Sequence, residues 1–203
     1  MIKPFFLAAV FSAMSLPALA QAPSAEEARV NEIAAQLELV MTGLEERAEG
    51  YPAFIEELQA GLVTIERADE EVGELIAQLT AATDQMDDQS DFDAAIDEYR
   101  DATVALIAEA EGSNNEAIKA AIPDLEASLE ELNASDDQRA ETVIEARNLI
   151  RSLEQNREAI AFFIRAGQVQ RATALIQQNV DEFAEIVENG KALAGSLTPA
   201  ANP

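Results

Sequence analysis

Apolar residues recur at alternating steps of three and four along almost the whole chain, a period that favours helix over strand. Val30, Ile33, Leu37, Val40 and Leu44 form the first run; Ile55, Leu58, Leu62, Ile65, Val72, Ile76 and Leu79 the second; Phe92, Ile96, Tyr99, Thr103, Leu106 and Ala110 a third. Shorter runs follow through Ile118, Ile122, Leu125, Leu129 and Leu132, then Val143, Ile150, Leu153, Ile160 and Phe163, then Val169, Ala172, Ile176, Val180, Phe183 and Val187. No stretch alternates with period two between turn pairs, so strands find no support. The pattern predicts an all-α chain of about six helices in an elongated antiparallel bundle, the longer ones roughly 37 to 47 Å at ~1.5 Å per residue.

Local signals suggest where those helices begin and end. Ser24 with Glu27, and Ser135 with Gln138, have the spacing of capping boxes. Gly50-Tyr51-Pro52, Gly112-Ser113-Asn114-Asn115 and Asn189-Gly190 read as stops, and Pro123 suits a first turn or a kink.

The start, MIKPFFLAAVFSAMSLPALAQAPSAEEA, has one early lysine, a short apolar stretch and Ala18-Leu19-Ala20 as small residues for a signal peptidase. The apolar part falls short of the ~20 residues of a membrane span. The expected organisation is a signal peptide over 1–20, cleaved after Ala20, a helical-bundle domain over 21–190 and a disordered tail over 191–203. Export to the periplasm or beyond follows, with no membrane span left after cleavage. With no cysteine, disulfides and lipid attachment through a thioether drop out.

Charge narrows the partners. The chain has 13 basic and 39 acidic residues and no histidine. Lys3 lies in the leader, so residues 21–203 are one unit more negative than the whole chain's −26. Such a surface repels nucleic acid and anionic lipid. Without imidazole or thiol, the usual nucleophiles and soft metal ligands are missing, and carboxylates are the only plentiful reactive group. We expect no enzyme activity, no cofactor and no metal site.

The densest acidic stretch, DQMDDQSDFDAAIDE over 84–98, sets seven carboxylates in fifteen positions with no base among them. Read as a calcium loop from Asp87 it ends on Glu98 at the twelfth place, but Phe92 stands where the turn needs glycine. A solvated turn leading into an acidic helix N-terminus fits better. The arginines cluster elsewhere: six of ten lie between 139 and 171, where only four acids accompany them. Pairing with acidic neighbours is the structural expectation, and a contact face the functional one. Asp69 and Arg157 interrupt apolar stripes, with Ala68 and Asn156 beside them available to face inward while the charges lean into water.

AIAFFIRAG, residues 159–167, is the most apolar patch after the leader, and two adjacent phenylalanines cannot both face one narrow stripe. Phe162 is expected in the core of a centrally placed helix, with docking as its other role. The functional expectation is an exported acidic bundle that works by protein contact with a partner in the cell envelope, as scaffold, chaperone-like binder or accessory subunit. Arg147, Arg151, Phe162 and Arg165 are the candidate surface. The alternative is a periplasmic module that binds a small ligand or divalent cation.

Overall fold

The helix that starts at Ala25 runs through the expected break at Gly50-Tyr51-Pro52 and ends at Gln59. The computed structural model describes residues 25–197, of which 90% are helical with no strand. The elements are α1 (Ala25–Gln59), α2 (Ile65–Met86), α3 (Asp91–Gly112), the single turn α4 (Glu116–Lys119), α5 (Ile122–Arg165) and α6 (Val169–Leu197). The signal segment, Ser24 and residues 198–203 lie outside the described residues.

Packing explains why α1 crosses its proline. Interior Pro costs about 3 kcal/mol in a helix. Against it stand the buried rings of Tyr51 and Phe54, edge to face at 6.5 Å, with Tyr51 also edge to face with Phe183 of α6 at 6.3 Å. Burial of rings such as these outweighs one lost hydrogen bond. The real break comes at Gly61, whose φ of 72° an L side chain rarely adopts. The Leu62 N–H reaches the Glu57 carbonyl at 2.9 Å and the Gly61 N–H reaches Leu58 at 3.0 Å, the two bonds of a Schellman cap. Gly167 (φ 68°) ends α5 with the same pair of bonds, to Phe163 and Ile164. Leu62, expected on a core stripe, therefore sits on the turn and is 70% exposed.

Two further boundaries move. Ser135 does not cap a helix; α5 is continuous, and the Ser135 hydroxyl donates to the Glu131 carbonyl one turn back at 3.1 Å. Pro123 sits in the first turn of α5, where its missing N–H costs nothing. Asn189-Gly190 does not end α6, which continues to Leu197 with Leu193, Ala194 and Leu197 buried, so residues 191–197 are helix and not disordered tail. Gly190 answers a packing demand: a Cβ there would fall within 3 Å of the buried Met41 side chain.

The chain divides into two compact units. One comprises residues up to 38, 86–140 and from 192 onward; its core holds Val30, Leu37, Phe92, Ile96, Tyr99, Leu132 and Leu193. The other comprises 39–85 and 141–191, with Met41, Leu58, Leu79, Leu149, Leu153, Ile160, Ile176 and Phe183 at its centre. α1, α5 and α6 each supply a stretch to both. Every contact below lies within one unit or the other.

Candidate functional site: a held acidic turn and an exposed α5 face

The acidic turn of the first unit has its own cation. Gln89 adopts a left-handed φ of 69°, and its N–H donates to Asp93 Oδ2 at 2.9 Å. Ser90 caps α3 by accepting from the Asp93 N–H at 3.1 Å. Into this turn α5 inserts Arg139, whose side chain is 5% exposed. Its guanidinium donates to the Met86 carbonyl at 2.6 Å, to Asp93 Oδ1 at 2.9 Å and to Asp136 Oδ1 at 2.8 Å, with Asp88 at 3.4 Å. The planar fork of arginine suits such divergent acceptors. Arg100 binds the other oxygen of Asp136 at 2.7 Å and also pairs with Asp97, while Arg29 pairs with Glu98. Burial raises the Asp136 pKa, but the hydrogen bonds from Arg139 and Arg100 outweigh it and hold the carboxyl below its usual range.

The expected solvated turn and acidic helix N-terminus are there, with five of the seven carboxylates exposed, but the stretch is not left to repel itself. Several of its acids are neutralised by arginines from other helices, because a charge density that repels itself locally becomes a binding site once α1 and α5 pack against it. No cluster of three or more potential ligands able to hold a metal ion occurs among the described residues. Tyr99, buried nearby in the same unit, has its pKa raised by burial and then by the Glu27 charge.

In the second unit Arg157 and Asp69 do pair. A guanidinium Nη2–Oδ2 bond of 2.7 Å accompanies an Nε–Oδ1 contact, yet both side chains remain over 40% exposed. Ala68 takes the inward place, as expected from the sequence, while the two charges meet each other at the surface instead of leaning apart into water. Gly73 lies beside the pair, where a Cβ would meet Arg157 Nη2 at 3.5 Å, an ordinary van der Waals contact. The pair holds Asp69 below the usual carboxylate range. Arg47 similarly ties α1 to α2 through Glu71 and Glu74, and donates to the Tyr51 hydroxyl at 3.2 Å.

Candidate residues Arg147, Arg151, Phe162 and Arg165 all lie exposed on α5. At about 100° per residue they fall within roughly 40° of the direction of Arg151, so they share one face. Phe162 is 57% exposed, which corrects the expectation that it belongs to the core; Phe163 is the half-buried ring, with Arg171 stacked over it at 5.7 Å. A helix in this unit has neighbours on one side, so the adjacent ring has to face water. Ile144, 58% exposed on the same face, carried no sequence signal other than its step of three from Arg147. Arg151 donates to Asn148 within its own helix at 3.1 Å, and Arg147 also holds a contact within the chain.

A cavity of about 10 Å³ lies between Tyr51, Leu75, Leu153, Ile176 and Asn179, at the lower limit for one water and far below the several hundred Å³ of a ligand pocket. An open hollow of about 830 Å³ adjoins the α5–α6 turn, lined by Gln59, Gln168, Gln170, Arg171 and Thr173 among others. No helix among the described residues is long and apolar enough to cross a membrane. Comparison of the chain with family models, curated proteins and solved structures finds no match.

Proposed function

We propose that this is an exported, acidic helical-bundle protein that acts by protein–protein contact in the cell envelope, without catalysis, and that the α5 face in the second unit is its contact surface. One observation carries the reading: two large apolar side chains, Ile144 and Phe162, stand more than half exposed on the same helix face as three arginines, in a chain of net charge −26. Aromatic and arginine side chains are among the residues that interfaces favour, and Phe162 and the arginines of this face supply both. Export rests on the leader read from residues 1–20.

Affinity purification of the mature protein from its host envelope tests this. The expected result is a stoichiometric protein retained by the wild type and lost with Phe162→Ala plus Arg151→Ala, two exposed changes that leave the circular-dichroism melt in place. Retention unaffected by those substitutions would remove α5 from the reading, and no retained protein at all would sink the contact role.

A further inference from the structure

The exposed face of α5 is complementary to itself when a second copy is laid against it in the opposite direction. Take a two-fold axis perpendicular to the helix at Leu153. Ile144 then faces Phe162 of the second copy, and Phe162 faces its Ile144, because the two residues lie eighteen positions apart, about five whole turns, and share one azimuth. Arg147 meets Glu158 of the second copy, and Arg151 meets Glu154, each within about one residue of register. Both glutamates are exposed on α5. Two positive residues thus precede two negative ones along the face, and the sign reverses about the axis, so each arginine of one copy lies opposite a glutamate of the other.

We propose that residues 144–162 of α5 form a two-fold interface between two copies of this chain, with Ile144 and Phe162 as the apolar pair and Arg147–Glu158 and Arg151–Glu154 as the cross-pairs. The proposal rests on the α5 contact surface assigned above and adds a second copy of the chain to what that surface meets. A closed two-fold contact is the commonest arrangement of soluble oligomers, and it requires this kind of self-complementary patch. The rest of the surface argues for the same location: two strongly negative copies repel almost everywhere, and residues 139–171, where six arginines face four acids, are where approach costs least. Arg147 keeps its contact within the chain and still serves a second acceptor, since a guanidinium carries five donors. The interface is modest. Residues 144–162 span about 27 Å, which over a helix diameter of ~10 Å gives on the order of 300 Å² per copy, below the ~800 Å² of a standard interface. Association is therefore weak and reversible, visible in the tens to hundreds of micromolar.

Sedimentation equilibrium of the purified protein at about 0.15 M salt tests it. The wild type should show concentration-dependent dimerisation. Arg147→Glu with Arg151→Glu should weaken it at least ~10-fold, because like charges then face each other. Adding Glu154→Arg and Glu158→Arg restores the opposition of unlike charges with signs reversed, so the fourfold variant should dimerise within ~3-fold of wild type yet fail to pair with wild-type chains. A protein that stays monomeric to about 1 mM overturns the self-interface, as does a fourfold variant that melts normally but does not regain association. Either result leaves envelope capture through Phe162 and Arg151 as a separate measurement, so loss of the dimer and loss of the contact role are told apart.

Discussion

Replacing Arg139 with leucine should cost about 3 kcal/mol, and the structure shows where that figure comes from. The substitution leaves the Met86 carbonyl, on a fully buried residue, without the Nη1–H that reaches it at 2.6 Å. An unsatisfied buried acceptor costs ~1 to 3 kcal/mol. Two charge-assisted hydrogen bonds also go, to Asp93 Oδ1 and Asp136 Oδ1, each worth ~1.5 to 3 kcal/mol when shielded. Those carboxylates are discounted because their side chains are 24% and 26% exposed, so water re-enters, and because each keeps another partner: Asp136 keeps Arg100 and Asp93 keeps the Gln89 N–H. Asp88, 82% exposed, loses almost nothing. The leucine returns part of the loss through apolar burial. Urea unfolding followed by circular dichroism reads the result: with a slope of ~2 kcal/mol/M the midpoint should fall by ~1.5 M. Arg139→Lys, which keeps the charge but loses the fork, should fall between the two. Arg151→Leu, exposed, should stay within ~0.5 kcal/mol of wild type. A midpoint for Arg139→Leu within 0.3 M of wild type would refute the claim that this guanidinium holds the acidic turn together.

Gly190→Ala should destabilise by ~1 to 2 kcal/mol by thermal melting despite alanine's better helix propensity, because the new methyl must displace the fully buried Met41 side chain; an increase in melting temperature would show that Met41 moves aside at no cost. Phe162→Ala should change stability by less than ~1 kcal/mol, in contrast to the 3 to 5 kcal/mol of a buried phenylalanine, and a larger loss in urea would place the ring in the core. Acid should weaken the first unit as pH falls below about 4: Asp136 is held below its usual range when folded, so its contribution is present above the unfolded value and fades as the pH drops through the folded one, a fade that Arg139→Leu should blunt. Alkali acts in the reverse sense on Tyr51 and Tyr99, whose raised values contribute stability below about pH 10 that is lost above it, so phenolate absorbance should appear together with unfolding and not before it.

The helical class was legible because the 3.6-residue period is imposed by burial, and burial persists wherever a helix has neighbours on one side. Ser90 as a cap, Pro123 in a first turn and Ala68 facing inward are local features that the structure keeps. The misplaced boundaries share a cause. Gly50-Pro52, Ser135 and Asn189-Gly190 are boundary signals, two stops and a start, worth a few kcal/mol at most, and each sits beside side chains whose tertiary packing exceeds that: Tyr51 against Phe183, Leu132 and Arg139 on either side of Ser135, Met41 against Gly190. The break at Gly61 left no trace in the apolar stripe, which keeps its spacing through Leu58, Leu62 and Ile65 across it. The α5 surface was legible through its arginines and paired phenylalanines, but which ring faced outward was not, since adjacency fixes that they diverge and only the neighbouring helices decide which one is covered. That the acidic turn is bound by Arg139 was beyond the sequence, because donor and acceptors lie about fifty positions apart.

The fully buried sulfurs of Met41 and Met86 turn the two units into separate chemical clocks. Each is 0% exposed, and one lies in each unit. Met41 packs against Gly190 out of contact with solvent, so peroxide is expected to reach its Sδ when that packing opens. Met86, whose carbonyl is held by Arg139, is oxidised only when the packing around that turn opens. Sulfoxide formation at each methionine, followed by peptide mass spectrometry under dilute peroxide, therefore counts the openings of its own unit. Arg139→Leu should quicken the clock at Met86, and Gly190→Ala the one at Met41.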